Sequence, residues 1–383
     1  MPADTPSVPT AKLEQFLRDN DPATPFVVVD VDVVAERYDQ LAAAVPAARI
    51  YYAVKANPAQ PILRRLVSLG SSFDVASPPE IDQCLAAGAV AADISYGNTI
   101  KKRADIAYAA SVGVNRYTVD SVEELEKVIA VAPGASVCVR LLHECSGADW
   151  PLSRKFGCEG PDASRLLVLA SEAGLTCGIS FHVGSQQRDV DAWDEALART
   201  AHVFEVAREG GATPTFVNLG GGFPGHYVEA VPAINVYGEA VSSSLQRHFG
   251  DTLAEVMVEP GRYLVADAGL LRTEVVLVSR RSDFDHQRWV YLDCGKFHGL
   301  SETMDEAIRY RLRTPHDGTP AGPVAIAGPT CDSADVLYQK TDYALPLALA
   351  EGDKVDILSA GAYTTTYSSV GFNGFAPLAE HYI

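Results

Sequence analysis

A (β/α)8 barrel joined to a second, β-rich domain is the fold class this sequence predicts. Three features carry that reading: short strand-forming runs alternate with helical stretches from about residue 26, the runs are numerous, and the alternation stops after Asp267. In order the runs are FVVVDVD, IYYAVKAN, SSFDVAS, DISYGN, NRYTVDS, SVCVRLL, GISFHVGS, TFVNLGGGF and EVMVEPGRY. Between them lie segments such as PILRRLVSLG and SVEELEKVIAVA, with apolar residues at helical spacing and glycine at or after the end. Alternating strands and helices imply parallel βαβ units, and roughly eight or nine of them favour a closed barrel over an open sheet. After Asp267 the runs RTEVVLVSRR, HQRWVYLDCG, GPVAIAGPT and DKVDILSAGAYTT are strands joined by loops. The expected division is a barrel over residues 26–266, with residues 1–25 and 267–383 forming the β-rich domain.

The 383 residues suffice for both parts, with 47% hydrophobic and 21% charged residues, as in an ordinary globular protein. A formal net charge of −18 argues against nucleic acid or an anionic membrane surface as a partner. No apolar run reaches the length of a membrane span, and the amino terminus lacks the pattern of a signal peptide. The seven cysteines are odd in number and scattered, without CxxC or zinc-site spacing, which predicts reduced thiols in a cytoplasm and no metal site.

In a parallel barrel, chemistry gathers at the carboxyl ends of the strands. Lys55 stands there, at the close of IYYAV and just before the turn Asn57-Pro58. A buried unpaired ammonium is costly, so this lysine is paired, snorkelling or chemically employed. Asp74, Ser77, Asn98, His182, Ser185, Gly220 to Gly222, Glu259 and Arg262 fall at other strand ends. Singly, each has an ordinary structural reading, Asp74 as a cap and His182 as a hydrogen-bonded core histidine. The glycines of NLGGGFPG let backbone N–H groups approach an anion, yet the spacing is neither that of a nucleotide P-loop nor G-x-G-x-x-G. Glu259 and Arg262 of VEPGRY add an acid and a phosphate-matching fork. A lysine, a phosphate cradle and a carboxylate facing one cavity suggest pyridoxal 5'-phosphate.

With YYAVKAN, FDVAS, FHVGSQ, NLGGGFPG, EPGRY, GPTCDSAD and GAYTTTYSSVGFNGF in that order, the chain from about Pro25 onward resembles the fold-type III pyridoxal phosphate-dependent decarboxylases of the ornithine/lysine group. The resemblance implies an alanine-racemase-type barrel plus a β-domain, in a head-to-tail homodimer with shared active sites. It implies that Lys55 holds the cofactor as a Schiff base and that Asp74 lies beside it. His182 would stack on the pyridine face, Glu259 would bond the ring nitrogen, and Ser185, Gly221, Gly222, Gly261, Arg262 and Tyr363 would bind the cofactor around its phosphate. Cys331 would enter the neighbouring subunit's site and protonate the α-carbon, with Asp332 facing the distal ammonium of the substrate. Asp335, Asp305 and Glu306 are further carboxylates for that role, or else solvated surface charge.

Two positions depart from the pattern. Pro151 stands where animal ornithine decarboxylases have an arginine before Leu-Ser, leaving Arg154 or Lys155 as substitutes. His298 replaces an expected small residue near the substrate pocket. The expected function is decarboxylation of ornithine or lysine to the diamine, as in polyamine biosynthesis. The alternatives are another diamino acid (arginine, meso-diaminopimelate or a modified biosynthetic substrate) and a non-catalytic binding protein like the antizyme inhibitors.

Overall fold

The structure, a computed structural model, describes residues 9–150 and 155–383. The chain divides into two compact units, one of Ala35–Pro224 with Pro232–Leu264. The other comprises Val34 and the described residues before it, Gly225–Val231 and Val265–Ile383.

The first unit is a closed barrel of eight parallel strands: Ala48–Ala53, Ser72–Val75, Ile94–Tyr96, Arg116–Val119, Ser136–Arg140, Thr176–Ser180, Phe216–Asn218 and Glu255–Val258. Each pairs with the next in chain order, and the last returns to the first through Val258 and Ile50. The intervening helices begin and end where the sequence places stop signals. Helix Pro78–Ala87 opens on two prolines, which lack the N–H groups that a first turn leaves unused, and closes on Gly88 at φ 98°. Helix Val122–Val131 is capped by Ser121, whose hydroxyl accepts from the Glu124 N–H at 3.2 Å.

At the amino end of the barrel, Tyr51, Cys138, Phe216 and Met257 form a buried cluster. The Arg116 guanidinium lies 5.0 Å from the Phe216 ring centre and 5.6 Å from that of Tyr51, and pairs with Glu255 at 2.7 Å. The barrel is therefore filled from below, and its polar residues collect at the opposite end.

The strand Phe26–Val29, expected to open the barrel rhythm, belongs instead to the second unit. It runs antiparallel to Gly269–Arg272 and parallel to Ala379–Tyr382. All four of its residues are buried, and an uninterrupted apolar run reads alike in a parallel barrel and in a covered mixed sheet. GISFHVGS also divides: Thr176–Ser180 joins the barrel, whereas Ser185–Gln187 pairs antiparallel with Ala148–Trp150.

In the second unit the sheet runs in the order Leu312–Arg313, Lys354–Leu358, Gly269–Ser279, Arg288–Leu292, Ala321–Ala327, Val336–Pro346. Helix Ala11–Asp19 covers part of it through a cluster of Leu13, Phe26, Val28, Leu270 and Leu358. The segment Gly225–Val231 is tied in by the Val228 N–H to the Arg309 carbonyl at 3.0 Å and by the buried His226–Asp267 pair. Among the described residues no helix is long and apolar enough to cross a membrane.

One buried ammonium fastens the barrel's upper rim. The Lys101 side chain is fully enclosed, donates to the carbonyls of Asn98 and Thr118, both at 2.6 Å, and forms an ion pair with Glu124 at 3.2 Å. Burial pulls its pKa down to about 8, while the Glu124 charge opposes the shift. Removing one partner of a buried pair strands the other charge, at a cost of about 3–5 kcal/mol. Glu124→Ala is accordingly expected to lower stability by about that amount in urea unfolding at neutral pH. A loss below about 1 kcal/mol would show that the carbonyls alone satisfy Lys101.

Candidate active site

The strand that leads to Lys55 ends two positions before it, at Ala53. Ile50 to Ala53 are buried; the backbone then tightens into a 3-10 turn over Val54–Ala56, with Val54 and Ala56 still inward. The turn swings Lys55 out of the wall, leaving its side chain about half exposed at 51%. Nζ meets Asp74 Oδ2 at 3.1 Å, because Asp74 sits beside Ala53 in the next strand. Asp74 is only 5% exposed and its Oδ1 is buried without a hydrogen-bond partner. Room for that oxygen exists because residue 97 is glycine: a Cβ there would lie 2.0 Å from Oδ1.

Across the mouth stands Glu259, directly after the last strand. Its N–H donates to the Gly220 carbonyl at 2.8 Å, and Oε1 accepts from the Asn218 amide. The residue is partly exposed. Burial, then the neighbouring Asp74 charge, pushes its pKa up to about 7, against the pull of Lys55, Asn218 and Arg140. His182 accepts from the Gly184 N–H at Nδ1, 2.9 Å away, which places the proton of the neutral ring on Nε2. Burial and the cations Arg140 and Lys55 hold its pKa well below the ordinary value, so the ring is uncharged at neutral pH.

An anion-binding end completes the mouth. A Cβ at Gly221 would lie 2.6 Å from the Glu259 carbonyl, and one at Gly222 (φ 104°) would lie 2.8 Å from that of Gly184. The loop thus presents bare backbone where any side chain would fill the space. Gly261 is buried beside Arg262, whose guanidinium donates to the Ser185 hydroxyl at 3.2 and 3.1 Å. One cavity edge therefore carries an amine, a shielded acid, a neutral imidazole and an anion cradle.

Sequence reasoning passed over three residues here. Asn218 and Arg140 each close a barrel strand, and strand-end position is the signal that could have found them. Glu80 accepts from the Ala76 N–H at 2.6 Å and has its pKa raised by burial, near Lys55 and Asp74. Pro151 and Arg154 lie outside the described residues. Lys155 stacks on Phe156 with Nζ 4.8 Å from the ring centre, and Arg140 lies over the same ring at 5.3 Å.

Cys331, Asp332, Tyr363 and His298 lie in the second unit. Cys331 and Asp332 are exposed on a loop held by the Cys331 N–H to Asn373 Oδ1 at 2.9 Å and the Ala334 N–H to Asp332 Oδ1 at 2.8 Å. Tyr363 is partly exposed and takes the left-handed backbone conformation, φ 57°. His298 is buried, 4.7 Å edge-on to Phe375. Two of the further carboxylates prove structural. Asp335 is buried and accepts from the N–H groups of Lys296 and Thr330 and from the Thr330 hydroxyl. Glu306, also buried, caps the N–H groups of Gln339, Lys340 and Thr341, so it is neither solvated surface charge nor a free ligand. Asp305 is exposed.

The family described as "Pyridoxal-dependent decarboxylase, pyridoxal binding domain" matches residues 31–266. The chain is 38% identical over 357 residues to a lysine/ornithine decarboxylase of Selenomonas ruminantium, covering 92% of this chain and 88% of that protein. It superposes with a TM-score of 0.85 on a lysine/ornithine decarboxylase of Vibrio vulnificus complexed with putrescine, at 31% identity and 98% and 99% coverage. An arginine decarboxylase of Paramecium bursaria Chlorella virus bound to agmatine gives 0.87 at 27% identity, with 97% and 100% coverage.

The buried carboxyl of Glu259 makes stability depend on pH. Its pKa is about 7 in the folded, ligand-free chain and 4.5 as a free side chain, so between those values the folded state holds more protons. The stabilisation is complete below 4.5 and disappears as pH rises through about 7. Thermal unfolding of ligand-free protein is expected to show a falling Tm across that window, flattened in Glu259→Gln. Equal slopes in the two proteins would refute this assignment.

Proposed function

The chain belongs to the pyridoxal-dependent decarboxylases, and from that membership we propose that it converts ornithine or lysine to the corresponding diamine with pyridoxal 5'-phosphate. The observation that carries the proposal is the Lys55–Asp74 pair at a barrel mouth that also holds Glu259 and a side-chain-free anion cradle. The residues present fit this cofactor: a half-exposed amine, a buried oxygen of Asp74 without a partner, and glycines where any Cβ would collide. When bound, the cofactor supplies an electron-accepting ring for the charge left by departing CO2.

Each protein group then has a defined task. Lys55 supplies the amine that the substrate amine replaces. Glu259, ionised, keeps a proton on the ring nitrogen and so favours charge uptake by the ring. His182, held neutral, offers a flat apolar face. Ser185, Arg262, Tyr363 and the N–H groups of Gly221 and Gly222 hold the phosphate, with Gly261 allowing close approach. Cys331 delivers a proton to the α-carbon, and Asp332 receives the distal ammonium. His298 shapes the substrate pocket.

Cys331 and Asp332 act in the site of a second copy of the chain, in a homodimer with two shared sites. An exposed apolar surface supports a covering partner: Val370 is 83% exposed and Tyr367 43%, on the segment whose Asn373 holds Cys331. The seven free cysteines fit a reducing cytoplasm, and the diamine product fits polyamine biosynthesis.

Mixing inactive Lys55→Ala with inactive Cys331→Ala is expected to restore roughly a quarter of wild-type activity, since a heterodimer holds one intact site. No recovery despite demonstrated subunit exchange would place Cys331 in its own chain's site.

Substrate choice is read by CO2 release from an amino-acid panel. A second carboxylate beside Asp332 would be left unpaired, at about 3–5 kcal/mol, which gives discrimination on the order of 10² or more. Ornithine, lysine or both should react, with meso-diaminopimelate far behind and Asp332→Ala raising KM for the diamino acids. One methylene is worth only about 1–3 kcal/mol, so the first two should overlap. Diaminopimelate as best substrate would overturn the role of Asp332.

A further inference from the structure

Asn218 is fully buried at the end of the strand Phe216–Asn218, and its side-chain amide makes two bonds in opposite directions. Oδ1 accepts from the Gly220 N–H at 2.9 Å, and the amide nitrogen donates to Glu259 Oε1. The orientation is forced. A backbone N–H can only donate, so it claims the carbonyl oxygen and turns the NH2 group toward the carboxylate. With Oε1 occupied, Oε2 is the oxygen left for another donor. Gly220 is itself pinned, at φ 64° with room for a Cβ only 2.2 Å from the Phe181 carbonyl, and its own carbonyl accepts from the Glu259 N–H.

We propose that Asn218 is a positioning residue that fixes which Glu259 oxygen meets the cofactor ring nitrogen and ties that carboxylate to the phosphate-binding glycine loop. This rests on the role given to Glu259 above. A donor that cannot ionise keeps Glu259 in its charged form against the effect of burial. The same amide holds the first turn of the loop, so the two ends of one ligand are set by one side chain. Leucine at this position has the same branching, with two bulkier methyl groups in place of the amide oxygen and nitrogen, and makes neither bond. Aspartate keeps an acceptor for Gly220 and replaces the donor with an ionisable group.

The test uses holoenzyme reconstituted with cofactor labelled with 15N at the ring nitrogen. Two quantities are read, the pH midpoint of the ring-nitrogen shift and the cofactor Kd by fluorescence quenching. Asn218→Leu is expected to lower the midpoint by about one pH unit and raise Kd about tenfold, the scale of one hydrogen bond to a charged group. Asn218→Asp should hold Kd within about threefold and leave the midpoint at or above wild type, because the carboxyl pair carries equal or greater negative charge. A merely structural role would move both variants the same way, and that result, or wild-type values for Asn218→Leu, overturns the inference. If Asn218→Leu fails to fold, Asn218→Asp decides alone: a midpoint below wild type refutes the inference. Glu259→Gln separates the two readings. A midpoint unchanged in Glu259→Gln defeats the role of Glu259 itself, whereas a lowered one beside wild-type behaviour of Asn218→Leu defeats only the coupling.

Discussion

Closure of the barrel is the constraint on which the upper site depends. The strand Glu255–Val258 must pair with Ala48–Ala53, through Val256 to Ala48 and Val258 to Ile50. That register continues past the strands, since the Ala53 N–H reaches the Pro260 carbonyl at 3.0 Å. Lys55 and Glu259, more than two hundred residues apart in sequence, are thereby delivered to one rim. Asp74 follows from the next pairing, beside Ala53. A slip of one residue would turn Asp74 to the opposite face of its strand and displace the segments that carry Lys55 and Glu259.

The rim is a place of electrostatic balance more than of simple pairing. Asp74, Glu80 and Glu259 interact with Lys55, and Glu259 and Asp74 with Arg140. Burial alone would neutralise the carboxylates; the cations oppose it for Glu259, leaving that group near the middle of the physiological range. Burial, and after it the same cations, keep His182 uncharged. One acid and one base thus acquire opposite tendencies from shared neighbours, which is how a single cavity can hold both a charged and an apolar wall against a planar ligand.

Much of this was legible in the sequence, and the failures have physical causes. The βα rhythm located the barrel because its period is local, and a lysine ending an apolar strand stood out because burial without a partner is costly. Phe26–Val29 was misassigned because burial on both faces erases the difference between a barrel strand and a sheet strand. Glu306 and Asp335 misled because an acidic side chain in a loop looks the same in sequence whether it meets solvent or backbone N–H groups; only the fold supplies those donors. Asn218 was overlooked beside the glycines it organises, for its role needs Glu259 brought next to it from 41 positions further along the chain.

The Arg116 stopper has a kinetic meaning. With its guanidinium against Phe216 and Tyr51, side chains fill the barrel beneath the upper rim, and what binds at that rim comes and goes on the carboxyl side of the strands. Traffic is then sequential: an incoming molecule waits for the outgoing one. The spent molecule competes with its successor for the same threshold. A compound lodged in that doorway would trap what lies beneath it as effectively as it bars what lies outside.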